Sequence, residues 1–369
     1  MDDTARPAPA ASGADPAPPG VGLAGTDQDR TARENGPIPE PEPLGRKAFN
    51  IRTLVSFGIG AAILYFLVRR ANLDVAAMVA QLSQVDVLLY LVAALVYYLT
   101  FIIRGLRWRL LLSSVGYTRD GRERIPPLLG LSEIILISWF VNCVVPAKLG
   151  DMYRAYLLKK NADVSFSKTF GTIVAERIMD MLLMFALLVG SALVTFHGAL
   201  PPTVVSLMQG GLLLAGLLVL GLLAMRSLSQ LIHRVIPGRF RSHYSLLEEG
   251  TLRSFSGWPA LLVYTAAAWA VEAGRLYFVS RALGLEQIPL VSVFFLSLAG
   301  ALLTTLPVTP AGLGFVELAL VELLQLVAAV NGVALSPTTA TSLAFLDRTI
   351  SYWSLILVGL VVYLVSRRR

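Results

Sequence analysis

The chain has 369 residues, 55% of them apolar and only 15% charged, with a mean hydropathy of +0.67. Soluble domains carry about 25% charged residues, so a water-soluble fold is excluded and a polytopic, all-α membrane protein is predicted. The formal charge of +7 does not point to nucleic acid, because lysines and arginines gather at the ends of apolar stretches, as orientation signals and anionic-lipid contacts do.

Residues 1–46, rich in Pro, Ala, Gly and Asp, lack the large apolar side chains that would offset ordering entropy, and a disordered cytoplasmic tail is expected. Residues 47–369 then form one transmembrane domain. A bilayer core about 30 Å thick needs about 20 apolar residues per helix. Stretches of that kind lie at 51–68, 86–103, 169–196, 203–225, 258–281 and 340–365, so about six full spans are predicted.

Two further apolar regions fit a different pattern. The first, Pro127 to Val145, is basic on both flanks, with Arg119, Arg122 and Arg124 before it and Lys148, Arg154, Lys159 and Lys160 after it. The positive-inside rule puts both flanks in the cytoplasm, so the chain is expected to dip in and return. The second, Val291 to Val330, is interrupted by Pro307, Pro310, Gly312 and Gly314 and is expected to enter from the other side. The basic stretch between Arg226 and Arg253 and the terminal Arg367 to Arg369 agree with cytoplasmic termini, while Arg69 and Arg70 fall outside and must snorkel. Leu228, Leu231, Ile232, Val235 and Ile236 suit either an amphipathic interfacial helix or a solvated loop.

The two interruptions resemble each other. Pro146, Ala147, Leu149, Gly150 and Ala155 recur at identical spacing as Pro310, Ala311, Leu313, Gly314 and Ala319. Before the first stands R-G-L-R-W (104–108) and after it E-R-I-M-D (176–180); before the second stands E-A-G-R-L-Y (272–277) and after it L-D-R-T (346–349). Paired breaks of this kind expose backbone groups at mid-bilayer in transporters, and the halves, roughly 47–200 and 201–369, read as an inverted repeat with two re-entrant helical hairpins.

Ionisable residues inside a membrane helix cost about 3 kcal/mol on insertion scales, so they are expected to face a cavity or a partner. Glu176, Arg177 and Asp180, then Glu272 and Arg275, then Asp347 and Arg348 are such residues. In one reading Arg177 holds an anionic lipid headgroup while the carboxylates position it; in the other, these are ion pairs tying helices together. Lys148, Asp151 and Arg154 fall on one side of a helix opened by Pro146 and Gly150, where free N–H groups attract phosphate, though Lys148 and Arg154 also serve as inner-surface anchors. Glu317 is a candidate for a proton or headgroup-amine contact. Pro307, Pro310, Gly312 and Gly314 shape the second break. A single cysteine, Cys143, and three scattered histidines suggest no disulfide, no metal and no other cofactor, and no catalytic constellation was found, so no enzyme is predicted.

In order, R-G-L-R-W, P-A-K-L-G-D-M-Y-R-A, E-R-I-M-D, P-V-T-P-A-G-L-G-F-V-E and L-D-R-T-I-S-Y-W resemble the flippase-like membrane domain of the lysylphosphatidylglycerol synthase/flippase family. The resemblance implies a bacterial inner-membrane protein that moves a polar lipid between leaflets. It also implies that Lys148, Gly150, Asp151, Arg154, Glu176, Arg177, Asp180, Gly312, Gly314, Glu317, Asp347 and Arg348 match family motifs. The sequence ends at Arg369 just after the last span, so a stand-alone member without the aminoacyl-transfer domain is expected. Membrane lipids are the expected partners, with a homo-oligomer and a separate lipid-modifying enzyme as further candidates. A non-transporting scaffold that binds lipid or such an enzyme is the alternative, and a small-solute transporter a third.

Overall fold

The computed structural model describes Gly58 and residues 75–118, 125–145, 149–305 and 309–368. The predicted tail, the span at 51–68 apart from Gly58, Pro146, Lys148 and Pro307 lie outside the described residues. Among those described the fold is helical throughout, without strands.

The helices are α1 (Val75–Ser83), α2 (Val87–Ser114), α3 (Leu128–Val144), α4 (Gly150–Ala162), α5 (Phe166–Thr195), α6 (Pro202–Ser227), α7 (Ser229–Val235) and α8 (Gly238–Ser254). They continue as α9 (Trp258–Ala282), α10 (Leu290–Thr304), α11 (Phe315–Val330), α12 (Pro337–Arg348) and α13 (Leu355–Val365). Local chemistry marks their starts. Asp86 caps α2 by accepting from Leu89 N, Ser165 caps α5 by accepting from Lys168 N, and Ser336 caps α12 by accepting from Thr339 N.

Among the described residues, α2, α5, α6 and the run Pro337–Val365 are long and apolar enough to cross a membrane. Helix α9 matches them in length with 25 residues, but Glu272, Arg275 and Arg281 dilute its apolar content. Helices α3 and α10 are apolar but shorter, with 17 and 15 residues. At about 1.5 Å per residue they fall short of a hydrocarbon core of about 30 Å. Each packs against the helix that follows its break, α3 on α4 and α10 on α11. The predicted amphipathic stretch is helical, with Leu228, Leu231, Val235 and Phe240 exposed on or beside α7 and α8.

Helices α2 and α9 form the most extensive pair. Around them the packing follows a paired pattern: α2 against α3 and α9 against α10, then α10 against α5 and α3 against α13. Helix α6 is peripheral, burying only Val204, Gly211 and Ala215. Among lipid tails an apolar contact between helices gains little hydrophobic free energy, so close packing and polar ties must hold the bundle.

The last predicted span is not a plain α-helix. Between α12 and α13, Thr349–Ser354 widens into a π-helical segment. Tyrosines of the neighbouring helix α2 donate to backbone carbonyls on either side of its start: Tyr90 OH to Leu346 O at 3.2 Å and Tyr97 OH to Ser351 O at 3.1 Å. Tyr98 OH meets Ser354 Oγ at 2.8 Å. A widened turn leaves carbonyls poorly matched within the helix, and side-chain donors satisfy them.

Candidate functional site

Both breaks are built from local chemistry. In the first, the N–H of Gly150 donates to Asn142 Oδ1 at 2.8 Å, so a side chain of α3 caps the start of α4. A Cβ on Gly150 would lie 2.0 Å from the Ser138 carbonyl oxygen, which explains why the position is glycine. In the second, Ala311, Gly312 and Gly314 all have positive φ, at 48°, 73° and 84°. Glu317 Oε2 then accepts from Gly314 N at 2.7 Å, capping α11.

Behind the first break lies a dense ion-pair network. Arg154 on α4 forks onto Glu176 on α5 with two bonds of 3.0 Å. Arg107 on α2 reaches the same Glu176 at 2.8 Å and also donates to both oxygens of Asp180. Glu176, Arg107 and Arg154 are each at most 1% exposed. Bidentate geometry and mutual pairing are what such buried charges need to offset the loss of hydration.

The second break has a matching tie. Arg348 on α12 donates to Glu317 Oε1 at 2.7 Å and to Ala311 O at 2.8 Å. Arg275 on α9 binds Asp347 on α12 and, at 3.1 Å, Glu272 on its own helix. Aromatic rings line these arginines: Arg154 lies 3.9 Å from the Trp108 centroid, Arg275 5.6 Å from Tyr97 and Arg348 5.3 Å from Tyr352. A guanidinium is weakly hydrated and stacks on such faces, which eases its burial.

Between the two breaks opens a cavity of about 340 Å³. Of the residues singled out in the sequence, Asp151, Arg177, Asp180, Glu272, Arg275, Asp347 and Arg348 line it. Arg154, Glu176 and Glu317 stand outside its lining and are engaged in ion pairs. Gly150, Gly312 and Gly314 shape the backbone beside it, and Thr309 and Ala311 reach it from the second break. Asp151 takes two bonds from Arg177, of 2.9 and 2.7 Å, and Arg177 is the most open of the charged lining groups, with 37% of its side chain exposed. Glu133 is engaged elsewhere, by Arg368 at 2.9 Å.

Sequence reasoning missed part of the wall. Arg104, which lines the cavity, and Arg107, which stands in the ion-pair network behind it, served only as repeat markers, although two arginines three residues apart within an apolar 28-residue helix are themselves a strong signal. Tyr97, Trp139, Trp269 and Ser297 also line the cavity, and nothing in an apolar stretch distinguishes a cavity-facing tryptophan from a lipid-facing one.

An apolar helical bundle with a charged cavity between two broken helices defines the class, a polytopic membrane protein built around an internal polar site. Residues 53–359 match the family described as the lysylphosphatidylglycerol synthase TM region, and the chain belongs to that family. It is 33% identical over 235 residues to the UPF0104 membrane protein MJ1078 of Methanocaldococcus jannaschii, covering 62% of this chain and 95% of that one. It is 22% identical over 314 residues to the UPF0104 membrane protein PH1989 of Pyrococcus horikoshii, covering 78% and 90%. With the glycosyltransferase AglD of Haloferax volcanii the identity is 26% over 337 residues, 81% of this chain but only 52% of that protein, so the match spans about half of its length. No solved structure matches the chain.

Proposed function

We propose that this protein moves a polar or anionic lipid between the leaflets of a membrane, its headgroup passing through the cavity while the acyl chains stay in the bilayer. The carrying observation is the cavity itself, which lies between the two breaks and is lined by eight charged side chains in a molecule otherwise dominated by apolar helices. Keeping so many ionisable groups inside a membrane protein is costly unless they serve a path or a partner. The short helix pairs α3–α4 and α10–α11 are read as re-entrant hairpins of an inverted repeat. The paired packing of α3 on α13 and α10 on α5 supports that reading. Transport rather than catalysis is the activity proposed, with both termini cytoplasmic and a bacterial inner membrane as the location. The likeness to half of a protein named a glycosyltransferase supports a separate headgroup-modifying enzyme as partner, alongside self-association.

A scaffold that binds lipid without moving it is favoured by one observation, the pairing of Asp151, Asp180, Glu272 and Asp347 with arginines. Reconstitution into vesicles separates the two. Transport requires the full chain to accelerate leaflet exchange of a fluorescent phospholipid, and Arg177→Ala to stop it while the protein stays folded. No acceleration for any headgroup favours the scaffold, and unchanged exchange in the variant assigns Arg177 to structure. Topology is tested by single-cysteine labelling at Leu129 and Lys159 in a Cys143→Ser background. A hairpin makes both sites reactive from one side only; reaction from opposite sides overturns it.

A further inference from the structure

We infer that the cavity is a site for a neutral, hydroxyl-rich headgroup, a sugar, rather than for a bare phosphate or a bare amine. The inference rests on the transport reading only for the lipid origin of that sugar. The chemistry follows from what the wall leaves unmatched. Among the described lining residues are four arginines, 104, 177, 275 and 348, and four carboxylates, Asp151, Asp180, Glu272 and Asp347, so the wall has no net charge to attract an ion of either sign.

The unmatched groups are of both kinds. Trp269 Nε1 is a buried donor without a hydrogen-bond partner, Glu272 Oε2 a buried acceptor without one, and Ser297 Oγ can be either. All three residues line the cavity and are at most 9% exposed. Arg104 adds further donors. Its guanidinium makes one long bond, 3.3 Å to Thr100 Oγ1, and stands 4.0 Å from Asp180 and 3.9 Å from Glu272, beyond hydrogen-bond reach of both.

A phosphate brings acceptors only, so it would satisfy Trp269 and Arg104 but press against Glu272 and Asp180. An ammonium brings donors only and fails the other half of the wall. A hydroxyl both donates and accepts, so several hydroxyls on one ring can answer every open group together. The wall also carries two indole side chains, Trp139 and Trp269. At about 340 Å³ the space is at the lower end of the size of small-ligand pockets, about 300–1,000 Å³, enough for a compact headgroup.

The test is binding in phosphatidylcholine nanodiscs, with photoactivatable probes that share one tail and carry glucosyl, phosphatidylglycerol or phosphatidylethanolamine headgroups. The full chain should be labelled most strongly by the glucosyl probe, on α3 and α9. Trp269→Phe and, separately, the smaller change Ser297→Ala should each lower that labelling about fivefold, as loss of one hydrogen bond implies. Stronger labelling by either other probe, or glucosyl labelling indifferent to both folded variants, overturns the inference. Excess methyl glucoside separates the sources of the sugar: no displacement marks a lipid-borne headgroup, while displacement keeps the sugar site and assigns it to a free solute. Leaflet exchange measured with the same headgroups keeps the two hypotheses apart. Glucosyl-selective binding without exchange sinks transport and leaves the sugar site standing, whereas exchange of phosphatidylglycerol with no glucosyl preference does the reverse.

Discussion

The two breaks solve one problem with opposite charge order. At the first, the arginine sits on the helix that follows the break and the acid on the next, Arg154 to Glu176. At the second, the acid follows the break and the arginine comes after, Glu317 to Arg348. What recurs is a tie between the re-entering chain and the helix behind it, not a site for one sign of charge. The first tie is the more heavily bonded, since Glu176 is held by Arg107 as well as by Arg154, whereas Glu317 shares itself between one arginine and the backbone of Gly314. Arg107, Arg154, Glu176 and Glu317 therefore belong to the framework, Arg348 joins that framework to the cavity wall, and Asp151, Arg177 and Glu272 face the space it encloses.

Glu176 is where the framework is most vulnerable. Replacing it by leucine leaves Arg107 and Arg154 buried with their shared acid gone, and should cost about 3–5 kcal/mol, seen as loss of monodisperse protein or a collapsed Tm in detergent. Arg348→Met strands Glu317 with its backbone contact still intact, so a smaller loss, about 2–3 kcal/mol, is expected by the same measurement. Equal losses at the two sites would contradict the difference in bonding just described.

The glycines sharpen the contrast further. Gly150→Ala fails by contact, its Cβ meeting the Ser138 carbonyl oxygen, and should cost about 1–3 kcal/mol. Gly314→Ala fails by torsion, at φ 84°, and should cost about 1–2 kcal/mol. Smallest of all is Glu133→Ala, which removes a partly exposed pair with Arg368 and should shift stability by less than about 1 kcal/mol.

Much of this architecture can be read from residue order. The five described spans fall within a few residues of their helices except at the C-terminal end of α2, which runs on to Ser114 beyond the predicted 103, because Arg104, Arg107 and Arg109 end the apolar run before the helix itself ends. The ionisable residues inside apolar stretches do mark the polar interior. Their division into framework and cavity wall was not legible, because it depends on which arginine of a neighbouring helix reaches which acid. Glu317 shows the limit well: the sequence offers it as a proton or headgroup-amine contact, whereas in the fold its carboxylate accepts from Gly314 N and from Arg348. The π-helical segment was invisible for a similar reason, since the hydroxyls that hold it lie some 250 residues away on α2.

Those hydroxyls carry a mechanical consequence. Tyr90, Tyr97 and Tyr98 fasten one face of α2 to the chain at three heights, from Leu346 to Ser354. Sliding either element lengthwise would break three hydrogen bonds at once in a medium with little water to replace them. The two must travel as a single leaf, and whatever opens this protein has to swing about that seam instead of shearing along it.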